Sequence, residues 1–179
     1  MLEKDQAILV VVDVQGKLAQ LMSGKEHLFS SLEKMIKGFK LLNLPIIWLE
    51  QVPDKLGQTI PEVAHLLSEI SPISKTSFGC MGSDEFKIAL EGTGRKNVIL
   101  VGIEAHICVY QSAAQLLKEG YDVTVINEAV SSRTLENCKI GIERMAQLGA
   151  SISSVEMVLF ELLQTAEAKQ FREIAAIVK

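Results

Sequence analysis

Short apolar runs alternate with segments of helical periodicity along this chain, and no other feature of the sequence constrains the fold as strongly. Residues 7–12 form a continuous run rich in β-branched side chains, which is typical of a strand buried on both faces. Five such runs are predicted to be strands: residues 7–12, 46–49, 97–101, 123–126 and 150–153. Alternation of this kind favours crossover connections, and so an α/β fold with a mostly parallel sheet covered by helices on both faces.

Helices are predicted between and after these strands. They span residues 27–42, 83–90, 108–119, 135–148, 155–163 and 166–177. Ser83 or Asp84 is the predicted N-cap of the second helix, and Thr165 that of the last. Residues 51–76 carry several prolines and little periodicity, which predicts a long ordered loop. Because no linker or internal repeat interrupts the pattern, a single domain is predicted over residues 1–179.

Composition narrows the classes of partner. The net charge is −4 at pH 7, and no basic block or zinc-finger spacing occurs, which argues against nucleic acid and favours a small molecule. No apolar run approaches the ~20 residues that a membrane span needs, so no membrane partner is expected. Three cysteines without paired spacing, and no secretory signal pattern, predict a reducing compartment and a cytoplasmic protein.

Chemically useful side chains follow the predicted strands, and ligands of parallel sheets bind beyond the carboxyl ends of the strands. Asp13 ends the first strand and serves either as a structural cap or ion pair or in catalysis. Cys108 begins a helix after the third strand, where free N–H groups stabilise a thiolate, but a buried inert thiol is the commoner situation. Lys75 follows the predicted loop, and a cation beside a thiol and a carboxylate would lower the pKa of the thiol.

Other candidates are weaker. His106 is only two residues from Cys108, and such neighbours at the start of a helix tend to point apart, so Asp13 is the better base. Cys80 has no activating feature in the sequence, and Cys138 is predicted to lie in the core. Neither a G-x-G-x-x-G motif nor a phosphate-binding glycine loop follows a strand, which disfavours a nucleotide-binding oxidoreductase.

Four motifs at these positions resemble the isochorismatase-like cysteine hydrolases, and most closely the isochorismatase domain-containing proteins. They are VVVDVQ, KTSFGCM, VGIEAHICVYQSA and VINEAVSSR, in the order and spacing of that family. The resemblance implies a six-stranded, mostly parallel, Rossmann-like sheet in a three-layer αβα sandwich, with a catalytic triad of Asp13, Lys75 and Cys108. It also implies a cis peptide bond between Ile103 and Glu104 and an oxyanion hole formed by the N–H groups of Glu104 and Cys108.

The resemblance also has limits that bear on the substrate. Nicotinamidases of this superfamily bind a metal through an Asp-x-His-x-x-His pattern after the second strand, whereas residues 48–55 contain no histidine. We therefore expect neither a metal nor another cofactor. True isochorismatases do not use the cysteine, so Cys108 argues against that activity. Gln15, Trp48, Phe78 and Tyr110 are possible pocket residues, although core packing is the more usual role of aromatic residues.

Two functional hypotheses follow. The first is a metal-independent hydrolase that uses the Cys108 thiolate on a small amide-like C–N substrate through an acyl-enzyme intermediate. The second is a catalytically weak binding or scaffolding protein that retains the fold. A homo-oligomer, a dimer or larger, is expected because relatives commonly assemble and because residues 155–160 look more apolar than one packing face requires.

Overall fold

The computed structural model describes all residues from 1 to 179, and its centre is one parallel β-sheet. The strands are β1 (Ala7–Val12), β2 (Ile46–Gln51), β3 (Ile73–Lys75), β4 (Asn97–Ile103), β5 (Asp122–Ser131) and β6 (Ser151–Ser153). They lie in the order β3-β2-β1-β4-β5-β6, and every adjacent pair is parallel. The predicted six-stranded α/β architecture with helices on both faces is confirmed.

One strand, β3, lies inside the stretch that was predicted to be a loop. It is three residues long and pairs with the end of β2 from Leu49 opposite Ile73 to Gln51 opposite Lys75. Three residues are too few to show the alternation of apolar and polar side chains that predicts a strand. The segment is a strand because it pairs with β2. The consequence is functional, because the register places Lys75 beside Gln51 at the carboxyl edge of the sheet.

Nine α-helices surround the sheet. They are α1 (Gly16–Gln20), α2 (Lys25–Leu41), α3 (Pro53–Leu56), α4 (Pro61–Ala64), α5 (Asp84–Thr93), α6 (Tyr110–Lys118), α7 (Leu135–Gln147), α8 (Val155–Leu163) and α9 (Phe171–Val178). Two short 3₁₀ turns and a π-helix, Ala105–Val109, complete the secondary structure. Ser83 caps α5 as predicted, since its Oγ accepts the N–H of Phe86 at 3.3 Å.

The start of the last helix was predicted wrongly. α9 begins at Phe171, five residues later than expected, and Gln170 is its N-cap. Thr165 instead accepts the N–H of Glu167 at 3.2 Å within the turn that precedes the helix. A threonine hydroxyl stabilises a turn by the same kind of bond that it uses to cap a helix, so the sequence pattern did not separate the two.

The core occupies both faces of the sheet. Along β1, Ala7, Leu9 and Val11 belong to a cluster that faces α2 and α8, and the alternate residues belong to a cluster with α5, α6 and α7. All six β1 residues have no exposed surface. Burial of each Val or Leu stabilises the fold by roughly 1.5–3 kcal/mol, which explains why this strand carries no polar residue before Asp13.

Helix α8 uses its apolar side chains within the chain itself. Five of its nine residues are buried, and the helix packs against α2 and α9. Gly38 in α2 allows this approach, because a Cβ there would lie 2.4 Å from a methyl carbon of Leu159. The apolar character of residues 155–160 is therefore explained by intrachain packing, with Met157 left exposed. None of the helices has the length and apolar character needed to cross a membrane.

Candidate active site

Asp13, Lys75 and Cys108 are far apart in sequence but meet at the carboxyl edge of the sheet. Asp13 follows β1, Lys75 ends β3, and Cys108 lies in the π-helix after β4. The Nζ of Lys75 donates to Oδ2 of Asp13 at 2.6 Å. All three residues are buried, with exposed fractions of 3%, 3% and 7%. The structure thus brings together the three residues of the predicted triad.

The backbone at Asp13 departs from the extended conformation of β1. Its φ is 55°, in the left-handed region that residues other than glycine seldom adopt. Its N–H still bonds to the carbonyl of Leu49 at 3.2 Å, and its carbonyl accepts the N–H of Gln15 at 2.8 Å. Unusual backbone geometry of this kind is often found at functional sites, where the surrounding structure compensates for its energy.

The two carboxylate oxygens of Asp13 have different surroundings. Oδ2 is bound by Lys75, whereas Oδ1 is buried and has no hydrogen-bond partner. Leaving a buried acceptor unpaired costs on the order of 1–3 kcal/mol, so such an atom calls for a functional explanation. Burial raises the pKa of Asp13, and the charge of Lys75 acts in the opposite direction. The unpaired Oδ1 is an oxygen available to accept a proton.

Cys108 has a thiol whose pKa is raised, to about 12. The main cause is burial, followed by the negative charge of Asp13, and Lys75 opposes both only in part. Lys75 does lower the pKa of this thiol, as expected, but burial and the negative charge of Asp13 raise it by more. The reason is that Lys75 is already paired with Asp13, so the thiol meets a carboxylate and an ammonium ion together. In the resting protein, the proton stays on sulfur.

The turn that carries Cys108 differs from the prediction in two respects. No cis peptide bond occurs, so the bond between Ile103 and Glu104 is trans, and the prediction of a cis bond is wrong. The change of direction is made by Glu104, which has φ 55° and ψ 57°. The helix also begins at Ala105 and is a π-helix through Val109, a form that is rare and frequently found at functional sites.

Gly141 in α7 allows the backbone of this turn to lie close to α7. A Cβ at residue 141 would lie 2.7 Å from the carbonyl oxygen of Ala105 and 2.8 Å from the Cα of His106. Both are backbone atoms, so a larger residue could be accommodated only if the π-helix moved. No local sequence pattern singles out this glycine, because its importance depends on a helix more than thirty residues away.

The remaining thiols and His106 lie outside the triad. The Nδ1 of His106 is 2.9 Å from Oγ of Ser132, and its Nε2 is 3.8 Å from Oε2 of Glu104. Glu104 in turn accepts a hydrogen bond from Nε of Arg133 at 3.1 Å. Cys80 and Cys138 are buried free thiols, and burial raises the pKa of both. His106 is therefore engaged by Ser132, and its lower rank as a base stays a prediction.

The four possible pocket residues fall into two groups. Gln15 has no exposed surface and bonds to the backbone of Gln51, and Trp48 lies in the core and donates to Oγ1 of Thr59 at 2.7 Å. Both side chains are buried and hydrogen-bonded within the fold, and their place in a pocket stays a prediction. Phe78 is 54% exposed, and Tyr110 is partly buried beside Arg144. Only Phe78 and Tyr110 present surface that a ligand could contact.

One residue of the site was not anticipated. Gln51, at the end of β2, is 6% exposed, and its Oε1 accepts a hydrogen bond from Nζ of Lys75 at 2.7 Å. The carbonyls of Ser77 and Phe78 complete the environment of Nζ at 3.1 and 3.0 Å. A polar residue that ends an apolar strand was the available signal, and it is the same signal that singled out Asp13. No cluster of three or more His, Cys, Asp or Glu side chains is arranged to bind a metal.

The fold and this site define a class: an α/β protein with a thiol, a carboxylate and an ammonium group buried together at the carboxyl edge of a parallel sheet. The sequence matches the Isochorismatase domain over residues 7–157, and the chain belongs to the isochorismatase family. It is 34% identical to the secreted isochorismatase effector Isc1 of Phytophthora sojae, over 97% of this chain and 84% of that protein. It is 33% identical to mouse isochorismatase domain-containing protein 2A, over 98% and 84% respectively.

Solved structures agree with the family assignment. The MAR1 ribonuclease of Caenorhabditis elegans superposes with a TM-score of 0.92 at 32% identity, covering 99% of this chain and 91% of that one. The YcaC gene product of Escherichia coli, described as an octameric hydrolase of unknown specificity, superposes with a TM-score of 0.89 at 24% identity, covering 99% and 86%. At that lower identity, the second comparison shows the shared fold alone.

Proposed function

We propose that this protein is a cysteine hydrolase that cleaves a C–N bond of a small amide-like substrate. The observation that carries the proposal is the Oδ1 atom of Asp13, which is buried without a hydrogen-bond partner beside the thiol of Cys108. A nucleophile, an adjacent base and a third group that holds the base are the parts that covalent catalysis requires. Lys75 supplies the third part through its bond to Oδ2.

The reaction begins with transfer of the thiol proton to Oδ1 of Asp13 while sulfur attacks the carbonyl carbon. The negative charge then moves to the carbonyl oxygen, for which we assign the N–H groups of Cys108 and Glu104 as donors. Cys108 lies in the first turn of its helix, where N–H groups lack the usual helical acceptors. Collapse of the intermediate breaks the C–N bond, and Asp13 returns its proton to the leaving amine.

Hydrolysis of the resulting thioester restores the protein. Asp13, now a carboxylate again, accepts a proton from water as the hydroxyl oxygen attacks the acyl carbon. The carbon–sulfur bond breaks, the proton passes to Cys108, and a carboxylic acid leaves. In sum, one amide and one water yield one acid and one amine. Burial and the negative charge of Asp13 disfavour a thiolate in the resting site, which supports a proton transfer that accompanies the attack of sulfur.

Hydrolysis of RNA is a second candidate, since the C. elegans structure at 32% identity is of a ribonuclease. The site chemistry favours the amide. Lys75 is the cation that lowers the pKa of the thiol, and its side chain has no exposed surface, so its ammonium group does not reach a phosphodiester outside the site. The chain also carries a net charge of −4, which disfavours a polyanion. RNA therefore belongs in the substrate screen as a direct competitor of the small amides.

We expect that quenching the reaction with acid traps an acyl-enzyme. We would incubate the protein with a panel of primary amides, N-carbamoyl amino acids, esters and RNA, and then measure intact mass and map the modified peptide. The expected result is the mass of one acyl group on Cys108 for at least one amide. Turnover that survives replacement of Cys108 by alanine, or an adduct on Cys80 or Cys138, would contradict the mechanism. A panel with neither turnover nor adducts would favour the binding or scaffolding hypothesis.

We also propose that the protein self-associates. Large apolar side chains remain exposed around the fold, and the YcaC protein with the same fold is described as octameric. Apart from Met1, the most exposed are Leu21, Phe78, Ile88, Leu135 and Met157. Size-exclusion chromatography with light scattering at about 10 µM is expected to give a mass of at least twice 19.6 kDa. A mass of one chain at that concentration would argue against the proposal.

Location in the cell is also a proposal. The three cysteines are free thiols, which supports a reducing compartment such as the cytoplasm. The P. sojae relative is described as secreted, so membership of the family does not by itself determine location.

A further inference from the structure

Gln51 sits behind the proposed catalytic residues, with its side-chain amide fixed at both ends. Its Oε1 accepts a hydrogen bond from Nζ of Lys75 at 2.7 Å, and its Nε2 donates to the carbonyl of Thr76 at 2.8 Å. A flipped amide would direct an N–H at the ammonium group and an oxygen at a carbonyl, which loses both bonds. The orientation is thus determined, and it presents a neutral oxygen to Lys75.

The backbone of Gln51 is held just as firmly by Gln15. The N–H of Gln51 donates to Oε1 of Gln15 at 2.6 Å, and Nε2 of Gln15 donates to the carbonyls of Gln51 and Gly57 at 3.1 and 2.7 Å. Gln15 is two residues after Asp13 in the chain. A closed ring of buried contacts therefore runs from Asp13 to Lys75, to Gln51, to Gln15 and back along the backbone to Asp13.

Nζ of Lys75 has three N–H groups and four oxygens within hydrogen-bond distance. The two shortest contacts are those to Asp13 and to Gln51, at 2.6 and 2.7 Å. The other two are longer and go to carbonyls of the segment after β3. Gln51 is thus the partner that holds the ammonium group from the β2 side. In this position the ammonium group donates to Oδ2 of Asp13 and leaves Oδ1 without a hydrogen bond.

We propose that Gln51 is a positioning residue that acts through Lys75 to hold the Asp13 carboxylate with Oδ1 free beside Cys108. The inference rests on the proposed function and adds a residue outside the triad. A neutral acceptor suits this position because a second carboxylate at residue 51 would share the single charge of Lys75 with Asp13. The net charge near sulfur would become more negative, which disfavours the thiolate.

Two variants and a matched control test this role. Gln51→Glu keeps the oxygen that faces Lys75 but adds a charge, and Gln51→Met keeps the length but removes the hydrogen bonds. Gln58→Glu makes the same chemical change in the same segment, where the side chain is exposed. The readout is the rate of alkylation of Cys108 by iodoacetamide from pH 7 to 10, followed by peptide mapping, together with the unfolding temperature.

We expect Gln51→Glu to slow alkylation by about tenfold at each pH, since one unit of pKa changes the thiolate fraction tenfold. Gln51→Met is expected to slow it by about threefold, because Lys75 is held less well and opposes the raised pKa of the thiol less effectively. Gln58→Glu should match the wild type. A purely structural role would lower the unfolding temperature of the Gln51 variants and leave the alkylation rate of the folded protein unchanged.

The outcomes separate this inference from the proposed function. If an amide of the panel acylates wild-type Cys108 and both folded Gln51 variants are alkylated at the wild-type rate, the positioning role is overturned and the hydrolase proposal stands. If no substrate of the panel acylates wild-type Cys108, the nucleophile assignment fails and the inference fails with it. Slower alkylation in both Gln51 variants, with Gln58→Glu unchanged, supports the positioning role.

Discussion

Replacing Cys108 with alanine is expected to reduce turnover of a small amide by at least about 10⁴-fold, the scale of loss when a covalent nucleophile is removed. The reason is that no neighbouring group can replace sulfur. Asp13 is held by Lys75, and His106 is bonded to Ser132. The change deletes a single atom that has little exposed surface, so the fold should be retained.

The measurement is the steady-state rate on the substrate found in the acyl-enzyme screen, with circular dichroism to verify folding. Cys138→Ala is the matched control. Cys138 is also a 7% exposed cysteine of the same core cluster, but its thiol faces the carbonyl of Val130 at 3.8 Å. Its variant should retain wild-type turnover. Residual activity in Cys108→Ala close to the wild-type rate would assign catalysis to another group.

Asp13→Asn is expected to have opposite effects on turnover and on the free thiol. Turnover should fall by about 10²–10⁴-fold, since the general base is lost. Alkylation of Cys108 by iodoacetamide should become faster, because the negative charge of Asp13 is one of the causes that raise the pKa of the thiol. The amide of asparagine keeps an oxygen for Lys75 but cannot accept a proton from sulfur at neutral pH.

The pH dependence of alkylation shows whether Asp13 raises or lowers the pKa of Cys108. With a pKa of about 12, the thiolate fraction of wild-type Cys108 rises tenfold per pH unit from pH 7 to 10, and no plateau is expected in that range. The Asp13→Asn profile should lie above the wild-type profile throughout. Lys75→Met should shift it in the other direction, since Lys75 lowers the pKa of the thiol. Slower alkylation in Asp13→Asn would show that Asp13 promotes the thiolate in the resting state.

The raised pKa changes how the site is understood. A low thiol pKa would give a standing thiolate that reacts with any electrophile. In the proposed mechanism, the protonated thiol beside the Asp13 carboxylate instead gives up its proton only when a substrate carbonyl can receive the negative charge. The thiolate would then form only as the carbon–sulfur bond forms, which would favour the substrate over other electrophiles.

The strands that are long and apolar could be predicted from sequence patterns. The run at residues 7–12 was assigned correctly because its composition suits burial on two faces, wherever its neighbours lie. β3 was missed because its three residues are held by pairing with β2. The start of α9 was misplaced for a related reason, since local hydrogen bonds of Thr165 satisfy either a cap or a turn.

For the site, the sequence by itself determined which residue types stand at the ends of the strands, and resemblance in four motifs grouped Asp13, Lys75 and Cys108. Only the tertiary structure decided the trans bond before Glu104, the π-helix, the hydrogen bond between Gln51 and Lys75 and the raised pKa of the thiol. The physical reason is that burial and the pairing of charges depend on atoms from three strands and a distant helix, and no local pattern records their distances.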